Sequence, residues 1–237
     1  MDRSSFVASS YLRRTVLDLA FLTLIVVAVF GAKLPSIVLA QRFAAAETIA
    51  GPSVEGAGLA AADQTFLQLA ATVGQSAAAK RLIDYKLAND PASRERYWAI
   101  VDFDEPSTSK RLYVFDTLEK KIESYYVAHG RGSGDNVAER FSNLSGSNSS
   151  SLGIYRTLDE YNGHHGRSLR LEGLEPTNSN AFSRAVVMHT ADYVSEDFIR
   201  RTGRLGRSEG CFAVEKAIGD TLIDELKNGA YIIASKN

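Results

Sequence analysis

A single cysteine, Cys211, stands in 237 residues, so the chain cannot close an internal disulfide. Charge of one sign is missing as well. The 27 Lys and Arg residues balance 28 Asp and Glu, leaving a formal net charge of -1 and no excess of cations to hold a phosphate backbone, which excludes nucleic acid as the expected partner. No C-x-x-C or H-x-x-x-H spacing is present, which argues against a zinc site, and no cofactor is expected. No internal repeat is evident. The charge-free apolar run from Leu19 to Ala32 is 14 residues, short of the roughly 20 that span a bilayer as a helix.

That run follows Arg3, Arg13 and Arg14, the charge order of an export signal. Val38 and Ala40 fit the small-residue pattern before a cut, which places a mature start at Gln41. A helix that continued past Lys33 would instead stay as a membrane anchor. Either way residues 1–40 are read as a targeting segment, and the remainder as a domain outside the cytoplasm. A free thiol there risks oxidation, so its presence calls for burial or for a chemical purpose.

Residues 41–60, "QRFAAAETIAGPSVEGAGLA", hold too few large apolar side chains for a core and read as a linker. Over 61–95 the apolar positions Phe66, Leu67, Leu69, Ala70, Val73, Leu82, Ile83 and Leu87 recur at three- and four-residue spacings, which predicts one or two helices. From 96 to 237 the period changes to two. "RYWAIVDFD" and "KRLYVFDTLEKKIESYYVAHG" are dense in aromatic and β-branched residues, with a hairpin predicted around "DTLEKK". Further strands are predicted at "LGIYRT", "SLRLEGL", "RAVVMHT" and "GAYIIAS", and a helix from about Val214 to Lys227. The expected fold is mainly β, a small sandwich or barrel with the site at one mouth.

A cysteine becomes a nucleophile when its thiolate is populated or a base takes its proton. Cys211 precedes the predicted helix, whose positive end would favour a thiolate, and Arg204 and Arg207 lie nearby in sequence. Gly210 allows a sharp turn and close approach of substrate, with the surrounding amides available as an oxyanion hole. The candidate base is His189, which ends the apolar strand "AVVMH" 22 residues upstream. Each residue also has a plainer reading: a small buried cysteine, a strand-end histidine that bonds a loop, and Ser208 as a turn residue.

The pair together, "VVMHT...GRLGRSEGCFAV", resembles the signature of the murein L,D-transpeptidase (YkuD-like) family, with His189, Ser208, Gly210 and Cys211 at the matching positions. The resemblance to its exported branch extends over "HGRGSG", "FSN", "SSLGIY", "YNGHHGRSLRLEGLE" and "HTADYVSEDFI", in order, from about Arg96 to Asn237. It implies a β-sandwich or barrel in the bacterial periplasm or envelope that acts on the tetrapeptide stems of peptidoglycan. Cys211 would form a thioester with release of D-alanine and pass the acyl group to an amine. Tyr161, His165, Gly166 and Ser168 would line the donor pocket, with Arg207 beside them. The alternatives are an L,D-carboxypeptidase that uses water, or a wall-binding domain without catalysis. Two departures stand out: commoner members carry histidine where Glu209 stands, and the closer branch favours tryptophan there and proline at Phe212.

Overall fold

The computed structural model describes residues 59–237, so the targeting reading of 1–40 and the linker reading of 41–58 concern residues outside it. Leu59, placed by the sequence at the linker's end, already packs against an apolar cluster. Two helices follow, α1 (Ala61–Thr72) and α2 (Ser76–Asn89). They are separated at Gly74, whose φ of +75° is one that L side chains rarely adopt. Their inner faces bury Phe66, Ala70, Ala79, Leu82 and Ile83, the spacing that the periodicity required. Phe66 stacks on Trp98 with ring centroids 4.7 Å apart and meets Phe115 edge-on at 5.1 Å. Burying a side chain of this size stabilises by about 1.5–3 kcal/mol, so the helix pair is docked on the sheet and not merely tethered to it. Between the helices the Lys86 ammonium meets the Asp63 carboxylate at 2.7 Å, with both side chains 1% exposed.

The strands are β1 (Tyr97–Asp102), β2 (Leu112–Asp116), β3 (Lys121–Tyr125), β4 (Val127–Ala128), β5 (Gly153–Gly163), β6 (Gly166–Gly173), β7 (Val187–Thr190), β8 (Phe212–Val214) and β9 (Tyr231–Ser235). The helix α3 (Glu196–Thr202) lies between β7 and β8, and α4 (Gly219–Leu226) precedes β9. Their order in the single sheet is β3-β2-β1-β9-β5-β6-β7-β8-β4. The first and last strands of that order are consecutive in the chain, separated only by Tyr126, where the chain leaves β2 and joins β8. That exchange of partners bends the sheet into a nearly closed barrel. Beside the junction, buried Arg111 donates from Nε and one terminal nitrogen to the Val127 carbonyl and from the other to the Glu105 carbonyl, standing in for missing backbone donors.

Alternation along the strands sorts the side chains onto two faces. One carries Val101, Leu112, Leu169, Met188, Phe212 and Ile232, packed with Leu222, Ile223 and Leu226 of α4. The other carries Trp98, Ile100, Ile154 and Ile233 under α1 and α2. One expectation is corrected near Cys211. The segment after it is the strand β8, followed by a short 3-10 turn, Lys216–Ile218, and only then by α4. The helix predicted from about Val214 begins only at Gly219, because "FAV", apolar throughout, is buried between β7 and β4 and Val214 pairs as strand.

Candidate active site

Register places the predicted residues on neighbouring strands. Tyr161 pairs with Ser168, Ser168 with His189 and His189 with Ala213, a row across β5, β6, β7 and β8. Directly paired residues project to the same face, and Met188 and Phe212 occupy the opposite, inner one, so His189 faces outward. Cys211 immediately precedes β8, one residue before the Phe212 that pairs with Met188. It lies diagonally from His189 on the adjacent strand and on the same face. The site thus faces outward at the rim where β8 begins and does not open into the barrel.

His189 is 2% exposed, and its Nδ1 lies 2.9 Å from the Thr190 carbonyl. A carbonyl can only accept, so Nδ1 carries the proton and Nε2 keeps its lone pair, the arrangement of a base. Burial lowers the His189 pKa below its usual value, against the Thr190 bond, which raises it; positive charge on His165 would lower it further. His165 itself is exposed and stacks on His189 with centroids 4.1 Å apart and planes 18° from parallel. It reaches there from a tight turn, His164 and His165, at the tip of the β5–β6 hairpin, where Gly166 supplies a φ of +77°. Gly166 therefore shapes the turn. Ser168, fully buried beside His189, bonds through Oγ to the Gly166 carbonyl at 3.1 Å.

The loop that carries Cys211 is held from behind. The Ser208 amide donates to the His129 carbonyl at 3.0 Å, and the Arg131 amide donates back to the Ser208 carbonyl at 2.8 Å. Ser208 Oγ donates to the Cys211 carbonyl at 2.7 Å and accepts from the Gly210 amide at 3.1 Å. Ser208 is thus a clasp within the loop, and the Gly210 amide, expected in an oxyanion hole, is already engaged. Gly210 itself is required: its φ is +122°, and a Cβ there would lie 2.8 Å from the Ser149 carbonyl oxygen. Behind the loop, His129 accepts from buried Arg111 through Nδ1 at 2.8 Å, and burial and that neighbouring cation push its pKa down to about 4. His129 belongs to the scaffold.

Burial is also the largest influence on Cys211, raising its thiol pKa. A hydrogen bond from the Val187 backbone and the charge of Arg184 oppose this, while Glu209 adds to it. The thiol contacts the Ala185 carbonyl at 3.6 Å. With no helix N-terminus at the sulfur, and with Arg207 turned to Asp135 at 2.7 Å and Arg204 to the same carboxylate at 3.7 Å, the expected sources of a thiolate are absent. Arg184 is the relevant cation, and it was missed because it lies 27 residues before Cys211 in sequence and is brought close only by its bonds to the Ser142 and Ser149 carbonyls. A raised thiol beside a depressed imidazole rests as the neutral pair. Alkylation of Cys211 by iodoacetamide, followed against pH by mass spectrometry, should accordingly rise through a midpoint above the ordinary thiol value. A midpoint below it would mean a preformed thiolate.

Two cavities adjoin the segments that hold Cys211. One, of 170 Å³, is lined by Tyr161, Arg170, Leu171, Phe182 and Ala185–Val187, with the Arg170 guanidinium 4.1 Å from the Tyr161 ring centre. The other, of 410 Å³, is charged and includes Arg131, Asp135, Glu139, Arg140 and Arg207. Among the described residues no group of three or more His, Cys, Asp or Glu side chains could hold a metal ion.

The sequence profile of the L,D-transpeptidase catalytic domain matches residues 69–234, a span that includes every residue of this site. Among solved structures, an L,D-transpeptidase from Mycobacterium smegmatis is similar at 12% identity, covering 60% of this chain and 59% of that one, with a TM-score of 0.36. An L,D-transpeptidase from Stackebrandtia nassauensis is similar at 15% identity, covering 67% and 64%, with a TM-score of 0.38. One from Mycobacterium tuberculosis H37Rv is similar at 12% identity, covering 60% and 58%, with a TM-score of 0.32. The chain therefore spans less than two thirds of the length of each. No curated protein matches it.

Proposed function

We propose, from the premise that the chain belongs to the L,D-transpeptidase catalytic domain family, that it is an exported cysteine acyltransferase acting on the tetrapeptide stems of peptidoglycan in the periplasm or cell envelope. The observation that carries the chemistry is the His189 tautomer: Nδ1 is tied to the Thr190 carbonyl and Nε2 is left basic on the strand beside Cys211. Nε2 takes the thiol proton as sulfur attacks the carbonyl of the third stem residue, because the resting pair is neutral and proton transfer must accompany attack. The tetrahedral oxyanion then draws on backbone amides at the Cys211 turn. His189 returns the proton to the departing D-alanine nitrogen. An amine from a second stem, or water, resolves the thioester.

The apolar cavity beside Ala185 and Val187 suits the donor, with Tyr161 and Arg170 as its wall. His165 covers the base, and a residue in that position excludes water from the imidazole face. The decisive experiment incubates the chain from Gln41 onward, beside Cys211→Ala, with purified disaccharide tetrapeptide and identifies products by mass spectrometry. Cross-linked dimers and free D-alanine, both absent with Cys211→Ala, are expected. Tripeptide alone would make it a carboxypeptidase, and no Cys211-dependent product would overturn the reading.

A further inference from the structure

The two flanks of Cys211 differ in chemistry, and the difference bears on what resolves the thioester. On the Ala185 side the wall is largely apolar. By contrast Glu209, two residues before the nucleophile, projects a side chain that is 70% exposed and meets Arg131 at 3.0 Å. Arg131 is itself 56% exposed, so the pair is a surface contact that an incoming charge can exchange at little cost. Arg184, the cation whose charge reaches the thiol, is committed to the Ser142 and Ser149 carbonyls and cannot follow. A donor acyl group on the apolar side leaves the exposed Glu209 carboxylate open to a second substrate.

We propose that Glu209 binds the ammonium of the acceptor stem and thereby selects an amine over water at the thioester. The inference rests on the acyltransferase reading above and specifies its acceptor. A primary amine arrives protonated near neutral pH, whereas water carries no charge, so a carboxylate at the approach concentrates only the first. The ammonium leaves Arg131 displaced, gives up one proton to solvent and attacks the thioester carbon. The C–N bond forms, the C–S bond breaks, and a second nitrogen proton passes through His189 Nε2 to the Cys211 sulfur. That Glu209 opposes ionisation of Cys211 agrees with a carboxylate close to the reacting atoms.

The test compares the ratio of cross-linked dimer to tripeptide in the native chain and in Glu209→Gln, with disaccharide tetrapeptide as donor and acceptor. This ratio is set after the acyl-enzyme forms and does not depend on the rate of acylation. It should fall by up to about fivefold, the upper end for one exposed charge contact, and Arg131→Gln should raise it. Raising ionic strength from about 0.05 to 0.5 M should lower the ratio in the native chain and leave it flat in Glu209→Gln. Capture of the thioester by hydroxylamine, largely uncharged near neutral pH, should be the same in both. An unchanged ratio, or an equal loss with hydroxylamine, overturns the assignment. If the native chain shows no single-turnover burst of D-alanine, the acyltransferase reading itself fails, and the assignment with it.

Discussion

His189→Gln should slow release of D-alanine by about 10²–10⁴-fold, the contribution of a positioned general base. Glutamine keeps a polar side chain in the buried position next to Ser168 but offers no basic nitrogen. The Nδ1 bond to Thr190 makes the expectation sharp, because it leaves Nε2 as the one nitrogen able to exchange a proton with the thiol. The pH profile carries a second signature. A pKa below the usual histidine value keeps Nε2 free as pH falls, so the acid limb of kcat/KM in the native chain should have its midpoint below 6.5. In His189→Gln that limb should vanish. Activity within a few-fold of the native rate, or an unmoved acid limb, would assign the base elsewhere.

Asp63→Ala should destabilise the fold by about 3–5 kcal/mol, because it strands the Lys86 ammonium where its side chain is 1% exposed. For a chain of this size that corresponds to a fall in Tm of roughly 6–20 °C. Replacing both partners, Asp63→Leu with Lys86→Met, should recover most of the loss, since an apolar pair of similar volume needs no counter-charge. Calorimetry reads the Tm, and limited proteolysis shows whether α1 and α2 come away before the barrel unfolds. If Asp63→Ala melts like the native chain, the ammonium has found solvent and the pair is not sealed.

The same pair explains where the sequence could and could not be read. The periodic run over 61–95 predicts helices, and two form, yet the pattern assigns Leu87 inward when it is 42% exposed and Lys86 is the residue buried. Only the partner carboxylate, 23 positions away, makes that inversion tolerable, and no local spacing signals it. The strands around Trp98, Phe115, Tyr155 and Ile232 were legible because short runs there are dense in aromatic and β-branched side chains. β8 was not, since three apolar residues directly after Cys211 are too short a run to show a period, and parallel pairing with β7 makes them a strand. At the site, Cys211 and His189 could be picked out by chemical type, and Ser208 by its place in the turn. The Thr190 carbonyl, the Arg184 charge and the exposed stacking of His165 arise from backbone paths that bring distant segments together.

One close contact also governs how this site can diversify. A Cβ on Gly130 would lie 2.4 Å from the Asn148 carbonyl oxygen and 2.9 Å from the Cα of Gly210, so the two loops meet backbone to backbone. No single substitution at either glycine improves on that contact, and a change tolerated at one would require the other loop to move with it. Variation by point mutation is thereby channelled to the outward side of the turn, where the side chain of Glu209 meets solvent. Exposed positions such as Glu209 can thus vary one codon at a time while the buried contact behind them is kept.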